Sequence, residues 1–137
     1  MPRAKTYRIV LADDHELFRQ GLREILNGMV DLEVVGEAAD GLELLNLLDH
    51  VKPHMAILDI SMPRLRGIDA ASEIEKKHPE LKVLILTIHK DDAYRARAIS
   101  VGAEGYLLKE NIGRDLFPAI SMIRQGKVYF PPCTACL

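Results

Sequence analysis

The sequence predicts an α/β fold, a doubly wound parallel sheet of (βα)5 type. Short apolar runs alternate five times with segments whose apolar residues recur at helical spacing. Strict alternation of strand and helix favours parallel strands joined by right-handed crossovers, with helices on both faces of the sheet. The chain has 137 residues, a length that suits one domain with a hydrophobic core of its own.

Five apolar runs mark the strands, because their β-branched and aromatic residues favour extended structure. The predicted strands cover residues 7–12, 32–38, 54–59, 81–87 and 105–108. In the third of them, four apolar residues at 55–58 run directly into Asp59. A continuous apolar run of this kind is typical of a strand buried on both faces of a parallel sheet.

Apolar residues at helical spacing predict a helix after each strand. They are Phe18, Leu22, Ile25, Leu26 and Met29 in the first helix, Leu44, Leu45, Leu48 and Val51 in the second, Ile68, Ala71 and Ile74 in the third, and Leu116, Ala119, Ile120 and Ile123 in the fifth. His78 should end the third helix, because a residue before proline avoids helical angles. The fourth helix, residues 91–101, has the thinnest apolar face, and Gly102 is predicted to end it.

Composition excludes several classes of protein. Hydrophobic residues make up 48% and charged residues 28% of the chain, so it is neither disordered nor membrane-spanning. A net charge of −2 gives no general attraction to nucleic acid. The basic start is followed by an apolar run covering only residues 9–12, too short for a signal peptide or a membrane helix. We therefore expect a cytoplasmic protein with no membrane contact.

Both cysteines, Cys133 and Cys136, lie among the last five residues, so no disulfide framework is expected. Their C-x-x-C spacing is half of a zinc-binding pattern, but the sequence contains no second pair. We interpret residues 1–130 as the domain and residues 131–137 as a tail or the start of a linker.

Polar residues follow four of the five predicted strands. Asp13 and Asp14 follow the first, Asp59 ends the third, Thr87 ends the fourth and Lys109 follows the fifth. These strands are neighbours in the flavodoxin-like order 2-1-3-4-5, so their carboxyl ends meet at one edge. Three carboxylates repel unless a cation joins them, and Mg²⁺ with oxygen ligands suits a site beside a phosphoryl group. Asp59 is then placed as a nucleophile toward phosphorus, with Thr87 donating a hydrogen bond to a phosphoryl oxygen.

These residues resemble the receiver domain of response regulators in two-component signalling. The resemblance rests on Asp13-Asp14, Ile57-Leu58-Asp59-Ile60-Ser61-Met62-Pro63, Leu86-Thr87 and Gly105-Tyr106-Leu107-Leu108-Lys109, and spans about residues 7–125. Residues 11–15 and 119–127 resemble the LuxR/NarL-type subgroup, whose receivers precede a helix-turn-helix DNA-binding domain. This sequence carries no such domain, so we interpret it as an isolated receiver or a piece of a longer protein.

The resemblance implies a role for each matching residue. Asp59 would accept the phosphoryl group, and Asp14 and Asp59 would bind Mg²⁺ directly. Asp13 would bind the ion mainly through water, and the backbone carbonyl of Ser61 would supply a further ligand. Thr87 and Lys109 would contact the phosphoryl oxygens. Tyr106 would be the aromatic switch, whose ring turns inward when Thr87 moves toward the phosphoryl group, and Ser61 and His89 would tune the lifetime of that group.

The resemblance also implies partners. The phosphoryl donor would be a histidine kinase, and the receiver would act as a signalling switch that catalyses only its own phosphorylation and dephosphorylation. We expect the fourth helix and fifth strand to carry the signal, because little burial holds the fourth helix. A homodimer is expected either on that face or on the first and fifth helices. DNA would be contacted only through an output domain absent from this chain.

Two residues depart from the family pattern. Ile88 is bulky where a small residue often follows the threonine, which narrows access to Asp59. Glu110 replaces a common proline after Lys109, and the sequence leaves the isomer of that peptide bond open.

Several residues also have plainer interpretations. Asp13 with Glu16 resembles a helix capping box, and His15 is expected to be a surface histidine rather than part of the rim of the site. Tyr106 in isolation is an ordinary half-buried packing residue.

Three alternative functions stay open at this stage. An aspartyl-phosphate phosphatase or phosphotransferase would need an acid two residues after the nucleophile, where this chain has Ser61. A nucleotide-binding module would need a glycine-rich turn after the first strand, where the sequence is acidic. A stand-alone receiver would act through protein–protein contacts alone.

Overall fold

The computed structural model describes residues 6–62 and 64–131. The elements are β1 (Tyr7–Ala12), α1 (Glu16–Asn27), β2 (Leu32–Ala38), α2 (Gly41–Leu48), β3 (Met55–Asp59), α3 (Gly67–Lys77), β4 (Lys82–Thr87), α4 (Asp92–Ser100), β5 (Gly105–Leu108), a 3-10 turn (Lys109–Asn111) and α5 (Ile112–Arg124). The predicted strands are confirmed, with β3 and β4 each beginning one residue later than expected. Pro63, Cys133 and Cys136, which the sequence analysis discussed, lie outside the described ranges.

The strands form one parallel sheet in the order β2-β1-β3-β4-β5. The predicted doubly wound (βα)5 topology is therefore confirmed. All five residues of β3 are buried, as the continuous apolar run predicted. A helix covers each face of such a strand, so its side chains have no contact with water on either side.

Two hydrophobic clusters lie on opposite faces of the sheet. Leu58 belongs to the cluster beneath α2, α3 and α4, and its neighbour Ile57 belongs to the cluster beneath α1 and α5. Both side chains are almost fully excluded from solvent, and each contributes about 2–3 kcal/mol through burial of apolar surface. Because successive strand residues point to opposite faces, one apolar run supplies both clusters.

Gly102 ends α4 as predicted. It has a φ of +82°, and its N–H donates to the Ile99 carbonyl while the N–H of Ala103 donates to the Ala98 carbonyl. This pattern is a Schellman motif, which needs a residue with left-handed backbone angles. At the other end of α4, the side chain of Asp91 accepts a hydrogen bond from the N–H of Ala93.

The capping box expected at Asp13 and Glu16 is wrong. His15 occupies the N-cap position of α1 without a capping side-chain bond, and Glu16 is already the first helical residue. The Asp13 carboxylate instead turns toward the edge of the sheet, where it is buried with 3% exposure. Local spacing favoured the cap, and the tertiary environment of the carboxylate overrode it.

None of the helices within the described residues combines the length and the apolar character that a membrane crossing requires. The boundary predicted between residues 130 and 131 stays a prediction. Described contacts continue up to Pro131, whose carbonyl accepts a hydrogen bond from Arg95 of α4.

Candidate functional site

The sheet register brings the polar residues at the strand ends together. Ala12 pairs with Leu58, so the next residues, Asp13 and Asp59, lie side by side. Asp59 pairs with Leu86, and Thr87 pairs with Leu108, so Thr87 and Lys109 continue the row. Asp13, Asp59, Thr87 and Lys109 are all buried, with exposures of 3%, 3%, 0% and 9%. Parallel strands therefore place four polar side chains in one protected row.

Lys109 supplies the positive charge of this row. Its Nζ lies 2.7 Å from Asp13 Oδ2 and 3.6 Å from Asp59 Oδ1. The ammonium group also lies 4.5 Å from the centre of the Phe18 ring, which favours a cation held away from water. Lys109 faces three acids: Asp13 and Asp59 are buried, and Asp14 lies at the exposed rim of the site. The charge of the site is therefore incompletely balanced by the side chains that form it.

Two buried carboxylate oxygens fit a cation. Asp59 Oδ2 has no hydrogen-bond partner among the described residues, and Asp13 Oδ2 meets Lys109 only as an ion pair without hydrogen-bond geometry. One ligand atom from each of Asp13, Asp14, Asp59 and His15 lies within 4.8 Å of the others. A hard divalent cation such as Mg²⁺ takes oxygen ligands of this kind. The acidic pocket therefore fits the predicted metal.

Burial raises the pKa of the Asp59 carboxyl above its ordinary value, since a charged form is poorly solvated there. Lys109 opposes the shift, whereas Asp13 and Asp14 add to it by repulsion. The rise in pKa shows that burial and repulsion outweigh the attraction of the lysine. A bound cation would reverse this imbalance.

The loop after β3 holds Asp59 in place. The N–H of Ile60 donates to the Leu86 carbonyl and the N–H of Gly67 donates to the Ile60 carbonyl. A Cβ atom on Gly67 would lie 2.1 Å from the Asp59 carbonyl oxygen, so only glycine allows α3 to begin this close to the site. Ser61, predicted as a backbone ligand, is exposed.

Arg19 is a residue of the site's surroundings that sequence reasoning missed. Its guanidinium donates to the Asp13 carbonyl oxygen and pairs with Glu37 of β2 at 3.0 Å. Its position on the first turns of α1 was the available signal, but an arginine on an amphipathic helix is usually solvated. The contact fixes the turn that carries Asp13.

His15 is exposed, yet it lies at the rim of the pocket. Its Nδ1 is 3.2 Å from Asp13 Oδ1, 3.5 Å from Asp14 Oδ1 and 3.3 Å from Lys109 Nζ. The same Asp13 oxygen accepts the backbone N–H of His15 at 2.8 Å. The surface position was expected from the sequence, and the contacts with the acidic residues were not.

The predicted switch residues meet at the backbone of His89. Thr87 Oγ1 accepts the N–H of His89 at 3.0 Å, and the Tyr106 hydroxyl donates to the His89 carbonyl at 3.3 Å. The Tyr106 ring lies inward with 6% exposure. The ring of His89 stacks on Tyr94 of α4 with centroids 4.5 Å apart. One loop residue therefore connects Thr87, Tyr106 and α4.

The structure also shows the two residues that depart from the family pattern, Ile88 and Glu110. Ile88 is 64% exposed and lines a surface cavity of about 450 Å³ together with His15, Phe18 and Lys109. The bond between Lys109 and Glu110 is trans, as are all peptide bonds in the ranges described.

Comparison with known proteins gives the family of this chain. Residues 9–121 match the response regulator receiver domain, and the chain belongs to this family. Transcriptional regulatory protein DegU of Brevibacillus brevis is 38% identical over 125 residues, covering 91% of this chain and 53% of DegU. Oxygen regulatory protein NreC of Staphylococcus epidermidis is 42% identical over 123 residues, covering 89% of this chain and 56% of NreC. The chain thus spans just over half the length of these curated relatives.

Solved structures agree. A two-component response regulator of the LuxR family from Aurantimonas superimposes with a TM-score of 0.89 and 33% identity, covering 96% of this chain and 94% of that one. The isolated receiver domain of RcsB from Salmonella enterica, determined with the phosphomimetic BeF3-, gives a TM-score of 0.87 and 29% identity, covering 96% and 97%. The chain is a receiver domain of the LuxR/NarL type.

Proposed function

We propose that this receiver is a switch that takes a phosphoryl group onto Asp59 from the phosphohistidine of a histidine kinase. The observation that carries the proposal is the buried row of Asp13, Asp59, Thr87 and Lys109, in which Asp59 Oδ2 has no hydrogen-bond partner among the described residues. A buried acid beside a lysine and a metal-binding pocket has the parts that phosphoryl transfer needs, namely positioning and charge neutralisation.

In the proposed reaction an Asp59 oxygen attacks phosphorus while the phosphorus–nitrogen bond of the donor breaks and the kinase imidazole leaves. Asp13, Asp14, Asp59 and the Ser61 carbonyl would hold Mg²⁺, which would supply positive charge against the phosphoryl oxygens. Lys109 binds a phosphoryl oxygen through the ammonium group that now pairs with Asp13 and Asp59. The receiver promotes only its own phosphorylation and dephosphorylation, and turns over no external substrate.

The signal then passes through the loop after β4. Thr87 gives up its contact with the His89 N–H and binds a phosphoryl oxygen instead. His89 is then held differently, which alters the hydrogen bond between its carbonyl and the Tyr106 hydroxyl. Phosphorylation thereby favours one of two existing arrangements of α4 and β5. Ser61 and His89 tune the lifetime of the phosphoryl group by their positions beside the pocket. The output is control of transcription through a DNA-binding domain like those of longer relatives.

Phosphorylation is tested by incubating the protein with acetyl phosphate and Mg²⁺ and measuring its intact mass. The wild type should gain one phosphoryl group, and a chelator should prevent the gain. Asp59→Asn should gain none. Asp69→Asn, which alters an acid of α3 beside Arg66, is the matched control and should behave as wild type. An adduct that persists in Asp59→Asn would refute Asp59 as the acceptor.

We further propose that two copies associate through α1 and α5. Ile25 of α1, Met29 just after it and Phe117 of α5 are 44%, 42% and 36% exposed. Met29 and Phe117 line a groove of about 410 Å³ between α5 and the segment that follows α1. At the other candidate face, residues 128–131 already occupy the edge of β5 and bind Arg95 of α4. Phe117→Glu should abolish dimers in light-scattering measurements on the phosphomimetic-bound protein, whereas Ile99→Glu on α4 should leave them. The reverse result would place the interface on α4.

A further inference from the structure

A short segment after α5, residues 128–131, extends the sheet beyond β5. Tyr129 forms a parallel bridge with Gly105. The N–H of Tyr129 donates to the Glu104 carbonyl at 2.9 Å, and the N–H of Tyr106 donates to the Tyr129 carbonyl at 3.1 Å. We refer to residues 128–131 as the strap. The strap satisfies backbone groups at the open edge of β5 that would otherwise face solvent.

Side chains hold the strap on both faces of the sheet. Tyr129 packs against the cluster beneath α1 and α5, and its hydroxyl donates to Asp115 Oδ1 at 3.0 Å. Phe130 packs against the opposite cluster, which contains Tyr106. This alternation is that of a β-strand. The strap is therefore a built contact of the fold.

Arg95 of α4 fastens the far end of the strap. Its Nε donates to the Pro131 carbonyl at 3.0 Å, and its second nitrogen lies 3.5 Å from the Phe130 carbonyl. The guanidinium carbon lies 5.8 Å from the centre of the Phe130 ring. One side chain of α4 thus contacts the strap by hydrogen bonds and by a cation–π contact. A shift of α4 would move or break these contacts.

We propose that the strap reads out the state of the switch: it docks when Tyr106 lies inward and α4 holds its present position, and phosphorylation increases the docked population. This inference rests on the proposed function. Tyr106 is the common element, because its hydroxyl contacts the His89 carbonyl while its backbone N–H holds the strap. A state that favours the inward ring therefore favours the docked strap, and the coupling acts equally in both directions.

Hydrogen exchange by NMR on the whole chain tests the coupling, with beryllofluoride and Mg²⁺ as the phosphoryl mimic. The N–H groups of Tyr106 and Tyr129 should exchange roughly three- to tenfold more slowly with the mimic bound, through a shift in population. Occupancy is read separately from the resonances of Asp13 and Asp59. An occupied site with unchanged or faster exchange at the strap would refute the inference and leave the proposed function standing. A mimic that does not bind would refute both.

A pair of variants on α4 separates the specific contact from general effects on the helix. Arg95→Gln should make the Tyr129 N–H exchange about two- to tenfold faster, the range expected for a lost hydrogen bond. It should weaken beryllofluoride affinity as well, by linkage. Ser100→Ala is the control, because the Ser100 hydroxyl donates to the Arg97 carbonyl within α4 instead of to the strap. An affinity unchanged in Arg95→Gln, or equal effects of both variants, would overturn the proposal.

Discussion

Replacing Asp59 by asparagine should stabilise the metal-free protein and remove its response to Mg²⁺. In the absence of metal, Asp59 carries the cost of a buried charge and repulsion from Asp13 and Asp14, and these outweigh its attraction to Lys109. Asparagine removes the charge at nearly the same volume. Lys109 keeps Asp13 as a partner at 2.7 Å, so the substitution leaves no isolated buried cation.

The distances give the scale of the attraction and repulsion that act on Asp59. At an effective dielectric constant of about 20, the pair of Lys109 and Asp59 at 3.6 Å contributes about 4–5 kcal/mol. One carboxylate within 4.8 Å of Asp59 opposes it by about 3–4 kcal/mol. Asp14 is more exposed and contributes less. Attraction and repulsion nearly cancel, so the desolvation of Asp59 decides the sign. We expect Asp59→Asn to raise the free energy of unfolding by an amount on the order of 1 kcal/mol, the usual scale of a single substitution.

Chemical denaturation in a chelator and in saturating Mg²⁺ measures both effects. Wild type should gain about 2.7 kcal/mol at a Mg²⁺ concentration a hundred times its dissociation constant, and Asp59→Asn far less. Because the pKa of Asp59 is raised in the folded state, its penalty is absent below the ordinary value of 3.8, grows as pH rises from there toward the raised pKa, and is constant above it. The advantage of Asp59→Asn should therefore disappear in acid.

Asp49→Asn, at an exposed acid at the end of α2, is the control and should change stability by less than about 0.5 kcal/mol. A loss of stability in metal-free Asp59→Asn at neutral pH, or a gain of equal size in the control, would contradict the charge balance derived for the site.

Two further predictions concern the scaffold. Gly67→Ala should destabilise the protein by about 2 kcal/mol or more and weaken Mg²⁺ binding, because its Cβ would displace the Asp59 carbonyl. Gly21→Ala in α1, whose Cβ meets no atom within 4 Å, should stabilise it by about 0.5–1 kcal/mol; similar denaturation midpoints for both variants would contradict this. His54 has a pKa lowered by burial and by the nearby arginines, and its Nδ1 accepts the N–H of Arg8. Stability should therefore fall as pH decreases below about 6.5, and His54→Gln should flatten that part of the pH profile relative to wild type.

The strand and helix pattern could be predicted from the sequence because the burial of each apolar run strongly restricts its local structure. The run at 55–58 must be buried on both faces, and the alternation of elements leaves few ways to connect parallel strands. Gly102 was likewise predictable, since a left-handed helix end favours glycine. The spacing of Asp13 and Glu16 gave a wrong prediction, because the Asp13 carboxylate is buried in the pocket and does not cap α1.

The contacts of His89 and of the strap could not be predicted from the sequence. Tyr94 and His89 lie five residues apart in a loop and a helix, and no periodicity marks their stacking. Tyr129 and Phe130 were placed at the end of the predicted domain, but a segment of four residues carries no periodic signal that would predict its pairing with β5. Their positions depend on contacts with β5 and α4, and these contacts form only when the chain folds.

By itself the sequence determined which chemical groups this protein can bring together. Four polar residues follow apolar strands, and parallel strands must end at one edge, so acids, hydroxyl and lysine were bound to converge. Tertiary structure alone decided how they meet: Lys109 pairs with Asp13 at 2.7 Å and with Asp59 at 3.6 Å. Asp59 Oδ2 is left without a hydrogen-bond partner among the described residues, and Arg95 binds the strap. Such distances arise from the packing of segments far apart in the chain, and local preferences do not encode them.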